Sequence, residues 1–76
     1  MKPVGNRVLL KVNIHTNKEG VEEYEQEAKV VESNMEGVKK GATVFFNQFG
    51  AVSVNSMKTK KHIFLIVDAE DVYGIK

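Results

Sequence analysis

Residues 7–14 read Arg-Val-Leu-Leu-Lys-Val-Asn-Ile, and in an extended chain Val8, Leu10, Val12 and Ile14 fall on one face. The other apolar residues also come in short runs, mostly β-branched or aromatic, separated by turn residues. That pattern belongs to strands rather than helices. Residues 43–46 make a second strand, ended by Asn47-Gln48-Phe49-Gly50, where Gly50 can supply a positive φ. Residues 51–54 are expected as its hairpin partner, with Val52 and Val54 on one face. Residues 62–67 are nearly all apolar, as in a strand covered on both sides or closing a barrel. Residues 72–75 form a last short strand. Several short strands at regular turn spacing predict a small, mostly-β barrel or sandwich.

The segment from 13 to 27 breaks the pattern. It is polar, contains Gly20, and carries Glu19, Glu22, Glu23, Glu25 and Glu27 close together. Like charges at that density repel in a compact state, so an exposed acidic loop is the simplest expectation. A helix is the rival, because Val21, Tyr24, Ala28 and Val31 fall at helical spacing. The β-branched pair Val30-Val31 favours a strand after the loop.

A chain of 76 residues has room for one domain, here residues 1–76, and no repeat or linker interrupts it. So small a core supplies marginal stability, and with no cysteine neither a disulfide nor a thiolate metal site can supplement it. Association with a partner is the remaining supplement. The net charge of +1 favours neither nucleic acid nor an anionic membrane. The longest apolar run, 63–67, is far shorter than a spanning helix, and the opening residues lack a signal-peptide apolar core. Lack of cysteine fits a reducing compartment, so the cytoplasm is the expected location.

Few residues suggest chemistry. Asp68-Ala69-Glu70-Asp71 concentrates carboxylates that could hold a divalent cation, but a helical turn capped by Asp68, with Asp71 three residues on, explains them better. Lys58-Thr59-Lys60-Lys61-His62 is a basic patch, and a solvated turn is favoured over phosphate binding because Phe45, Phe46 and Phe64 all fall in expected core strands. His15 and His62 are far apart in sequence, and no nucleophile–base–orienter set or phosphate-binding glycine loop is visible, so no catalysis and no cofactor are expected. Phe49, in its turn, is the aromatic residue most expected to be exposed, or else to fold back on its own hairpin.

The order of these segments resembles the co-chaperonin family, GroES or chaperonin-10. Met1-Lys2-Pro3-Val4-Gly5-Asn6-Arg7-Val8-Leu9-Leu10-Lys11 looks like its first strand, and Ala28-Lys29-Val30-Val31-Glu32-Ser33-Asn34 like its second. Val38-Lys39-Lys40-Gly41-Ala42-Thr43-Val44-Phe45-Phe46, running on to Gly50, resembles the family signature V-K-x-G-D-x-V-x-F…G, with Ala42 where aspartate is usual. Residues 63–75 resemble its closing strand, acidic turn and final strand.

The resemblance implies a distorted β-barrel subunit of a seven-membered homo-oligomeric ring that caps an ATP-driven chaperonin and assists protein folding. It implies that first and last strands of neighbouring subunits pair, placing Val4, Arg7, Val8, Val72, Tyr73 and Ile75 at the subunit interface; residues 4–9 and 72–75 would otherwise be exposed edges. It also implies docking through a loop that here reads Gly20-Val21-Glu22-Glu23-Tyr24. Where relatives have three consecutive apolar residues, this chain offers Gly20, Val21 and Tyr24. Only Met35-Glu36-Gly37 stands where many relatives insert a roof hairpin, so that hairpin is expected to be absent. The acidified loop and the missing roof also suit a second reading, a non-catalytic structural or assembly protein that reuses the same barrel.

Overall fold

The computed structural model describes residues 2–76; Met1, part of the opening stretch compared with the co-chaperonins, lies outside them. The described residues form seven strands, β1 (Arg7–Thr16), β2 (Glu22–Tyr24), β3 (Glu27–Ser33), β4 (Thr43–Phe46), β5 (Val52–Ser53), β6 (His62–Asp68) and β7 (Val72–Ile75). Single 3-10 turns at Gln48–Gly50, Asn55–Met57 and Ala69–Asp71 join the later strands. All pairings are antiparallel, in the order β5-β6-β1-β3-β4-β7, with β2 added beside the far end of β1.

The mostly-β expectation holds. The sheet is nevertheless open, because β5 and β7 end the order without pairing to each other. Residues 34–42, between β3 and β4, contain no strand, and Val38 from this link is buried in the core.

The alternation of β1 organises the core. Val8, Leu10, Val12 and Ile14 are buried on one face with Ala28, Val30, Val44, Phe46, Ile63, Leu65 and Val67 from β3, β4 and β6. Burying one such side chain contributes about 1.5–3 kcal/mol. Leu9 is also fully buried but stands outside that cluster. Its cross-strand partner Ile66 lines an apolar cleft on the other face with buried Pro3 and Val52.

Several expectations are overturned. Residues 4–9 are not an edge: β1 is flanked by β3 and β6, so Val8 and Leu9 are interior and only the segment before Arg7 is unpaired. Residues 51–54 are not the hairpin partner of β4. Both edges of β4 are taken by β3 and β7, and the chain crosses instead to pair Val52 with Ile66 and Ser53 with Leu65. Gly50 does not adopt a positive φ. It sits against Asp71, whose carboxylate a Cβ at this position would overlap, lying 2.6 Å from Oδ1. Strand β6 is covered unevenly, with Ile63, Leu65 and Val67 buried and Phe64 and Ile66 half-buried.

The acidic segment is neither a plain loop nor a helix. Glu22–Tyr24 pairs with the end of β1, setting Ile14 opposite Tyr24 and Thr16 opposite Glu22. The charges tolerate this because several have partners: Glu22 meets Lys58 at 3.3 Å, Glu25 meets His15 at 2.7 Å and Glu27 meets Lys76 at 3.3 Å. The pairings of β1 with β3 and β6 stop at Lys11 and Asn13, so its end and β2 continue past the body of the sheet as an arm.

Candidate functional site

The arm carries the residues expected to dock a partner. Its tip is organised by Asn17, whose Oδ1 accepts from the backbone N–H groups of Glu19 and Val21 at 2.9 and 3.0 Å. The Asn17 amide donates to Glu23 Oε1 at 3.1 Å, and its backbone carbonyl accepts from Gly20 N–H at 3.0 Å. Gly20 has a φ of 83°, a left-handed conformation that any Cβ would strain. The next residue, Val21, is 54% exposed at this turn.

Tyr24 lies lower on the arm and is 39% exposed. Gly20 and Val21 are therefore neighbours at the tip, while strand alternation puts Tyr24 on the face shared with Glu22. Lower still, the Glu25 carboxyl is held below the usual carboxylate range. The largest cause is its hydrogen bond with His15, followed by that from Asn13, against a small opposing effect of desolvation.

The expected interface residues fall on two different edges. Tyr73 and Ile75 are 70% and 53% exposed on β7, whose outer edge has no strand beside it among the described residues, and Val72 is half-buried opposite Phe46. Val4 is exposed on the segment before β1, in the cleft of about 360 Å³ shared with Pro3, Val52 and Ile66. Arg7 fixes that segment: Nε donates to Asp68 Oδ1 at 2.6 Å and Nη1 to the Val4 carbonyl at 2.9 Å. Val8 points into the core and offers no side chain to a neighbour.

Two aromatic residues join this edge, Phe49 as its turn led one to expect and Phe45 against the expectation of a core position. Phe45 turns outward from β4, 39% exposed, and Phe49 stands 91% exposed instead of folding back on its own hairpin. With Tyr73 they border a cleft of about 160 Å³. The signal was present in Thr43-Val44-Phe45-Phe46, where alternation puts Val44 and Phe46 inward and Phe45 outward.

The remaining clusters are accounted for locally. A 3-10 turn does follow Asp68, but Asp68 makes no capping bond and is engaged by Arg7. Asp71 accepts from the Asn47 side chain at 3.3 Å. Among the described residues no group of three or more His, Cys, Asp or Glu side chains could hold a metal ion. The basic turn is tied to the arm through Lys58 and Glu22, while Thr59 Oγ1 accepts from the backbone N–H groups of Lys61 and His62. No helix among the described residues is long and apolar enough to cross a membrane.

No protein-family model matches the chain, and no curated protein matches its sequence.

Proposed function

We propose that this chain is a divergent co-chaperonin-like protein, a GroES-like distorted barrel that assembles into a homo-oligomeric ring and caps a chaperonin in the cytoplasm. The observation that carries the reading is the placing of its unsatisfied surfaces. Among the described residues the outer edge of β7 is unpaired, with Tyr73 and Ile75 exposed, and the hydrogen-bonded arm presents Val21. A bare strand edge flanked by apolar side chains invites another strand. The segment at 2–6, exposed at Val4 and outside any strand, is the natural complement on a second copy.

These two surfaces carry different residues, so contact between them is head-to-tail. Such contacts generate a ring when the rotation closes. The arm extends beyond the sheet and remains free in that arrangement. Its role is non-catalytic: Val21, with Tyr24 behind it, enters an apolar groove of the partner.

Glu22 and Glu23 flank that anchor, and burying either without a cation costs several kcal/mol. That favours, as the second reading, a structural or assembly protein whose arm meets a surface carrying basic residues. The assembly step is tested by light scattering on the eluted protein. The native chain should elute as an oligomer, and the double variant Tyr73→Lys, Ile75→Lys as a folded monomer. A native chain that stays monomeric at high concentration refutes the ring. Docking is tested by nucleotide-dependent co-elution with a bacterial chaperonin.

A further inference from the structure

Across the outward face of the sheet, strand register sets four residues in one row. Phe64 pairs with Lys11, Lys11 with Lys29, and Lys29 with Thr43. Two lysines thus stand directly opposite each other on β1 and β3, an arrangement in which like charges repel. Arg7–Asp68, Lys40–Glu32, Lys58–Glu22 and Lys76–Glu27 are all matched within 4 Å. Among the described residues neither Lys11 nor Lys29 has a carboxylate that close.

Both lysines line a cleft of about 270 Å³ together with Thr43 and His62. Asn13, Glu25 and Glu27 line the same cleft, but both carboxylates are engaged, Glu25 by His15 and Asn13 and Glu27 by Lys76. We propose that the paired lysines of β1 and β3, with Thr43 and His62, form a binding site for a small oxyanion of the phosphate class. Two ammonium groups and a hydroxyl supply charge-assisted and neutral donors for one tetrahedral anion, and its binding relieves their repulsion. The flanking carboxylates set the specificity. With both carboxylates already held by their own partners, the two lysines are left for one small anion, whereas the further phosphates of a polynucleotide would add negative charge beside Glu25 and Glu27. The site lies apart from the tip of the arm and from the β7 edge, so it stands or falls independently of the chaperonin reading.

The test is a series of amide proton–nitrogen correlation spectra of the full chain, titrated with inorganic phosphate against sodium chloride at matched ionic strength. Saturable shifts centred on Lys11, Lys29 and Thr43 are expected with phosphate and not with chloride. Lys29→Gln, at an exposed position that leaves the core intact, should weaken binding about tenfold, the value of one charge-assisted hydrogen bond. Lys11→Gln should do the same, and Lys39→Gln, outside the lining of the cleft, should leave it unchanged. O-phosphoserine tests the source: saturation with both ligands assigns a phosphomonoester site, and saturation with phosphate alone a free-anion site. Non-saturable shifts, shifts equal in chloride, or binding untouched by Lys29→Gln would overturn the proposal. Tighter binding of a single-stranded oligonucleotide to the same residues would overturn it as well.

Discussion

Replacing Gly50 by alanine should destabilise the protein for a reason unrelated to backbone conformation. Gly50 has no positive φ, so the left-handed strain usual for such substitutions is absent. By itself, Gly→Ala at a compatible position stabilises by about 0.4–1 kcal/mol, because the unfolded chain loses freedom. Against this, the added methyl overlaps the Asp71 carboxylate. Asp71 is held where the chain turns into β7: its carbonyl accepts from Asn47 N–H at 2.8 Å and its Oδ1 from the Asn47 amide at 3.3 Å. Moving the carboxylate aside forfeits the side-chain bond, worth about 1 kcal/mol, and crowding at this exposed turn adds only the low end of an overpacking cost, about 1 kcal/mol. The net expectation is a loss of about 1 kcal/mol, or roughly 5 °C in melting temperature for a domain of this size. Thermal melts followed by circular dichroism, on Gly50→Ala, Asp71→Ala and the double variant, test the cause. Removing the carboxylate should rescue most of the alanine penalty, giving a clear coupling energy between the sites. A Gly50→Ala variant as stable as the native chain, or strictly additive effects, would refute the reasoning.

Three further outcomes follow from the packing and the charges. Leu10→Ala, at a fully buried position in the central strand, should cost about 3 kcal/mol in urea denaturation, with the slope of the transition unchanged. Because the Glu25 carboxyl is held below its unfolded-state value, its contribution is fully present above that value and lost as pH falls through the folded one. Acid titration of stability below about pH 4 should therefore be flatter in Glu25→Gln than in the native chain; identical slopes would remove Glu25 from the account. Asn17→Ala removes three side-chain hydrogen bonds at the tip of the arm and should speed amide exchange at Glu19 and Val21 without slowing or speeding that of β6.

What was legible in the sequence follows the range of the interactions involved. Strand β1 could be read because alternation is local, and Val8, Leu10, Val12 and Ile14 occupy the face it predicts. The short closing strand at 72–75 was likewise marked by its own residues. The acidic arm was misread because repulsion among its glutamates is visible nearby in sequence, whereas Lys58 and Lys76, which engage Glu22 and Glu27, lie 36 and 49 residues away. The destination of β5 was hidden for a similar reason. Two residues carry no pattern, and their partner is the free edge of β6, whose other edge is taken by the distant β1. At Gly50 the residue was recognised as special but the cause was not, since the demand comes from Asp71 packing against it. For the proposed docking site the sequence named Val21 and Tyr24, and the structure separates them, one at the turn and one along the strand. The aromatic border of Phe45, Phe49 and Tyr73 needed the β4–β7 pairing, which no local pattern announces.

Binding to a bacterial chaperonin, with and without ATP, tests the central claim most directly. An established co-chaperonin serves as positive control and light scattering reports the mass of each eluted species. The account predicts a complex that forms only with nucleotide and is lost in Val21→Asp, a substitution at an exposed turn that leaves the core untouched. A chain that forms a stable oligomer yet ignores the chaperonin in every nucleotide state would contradict the capping role and leave the assembly reading in its place.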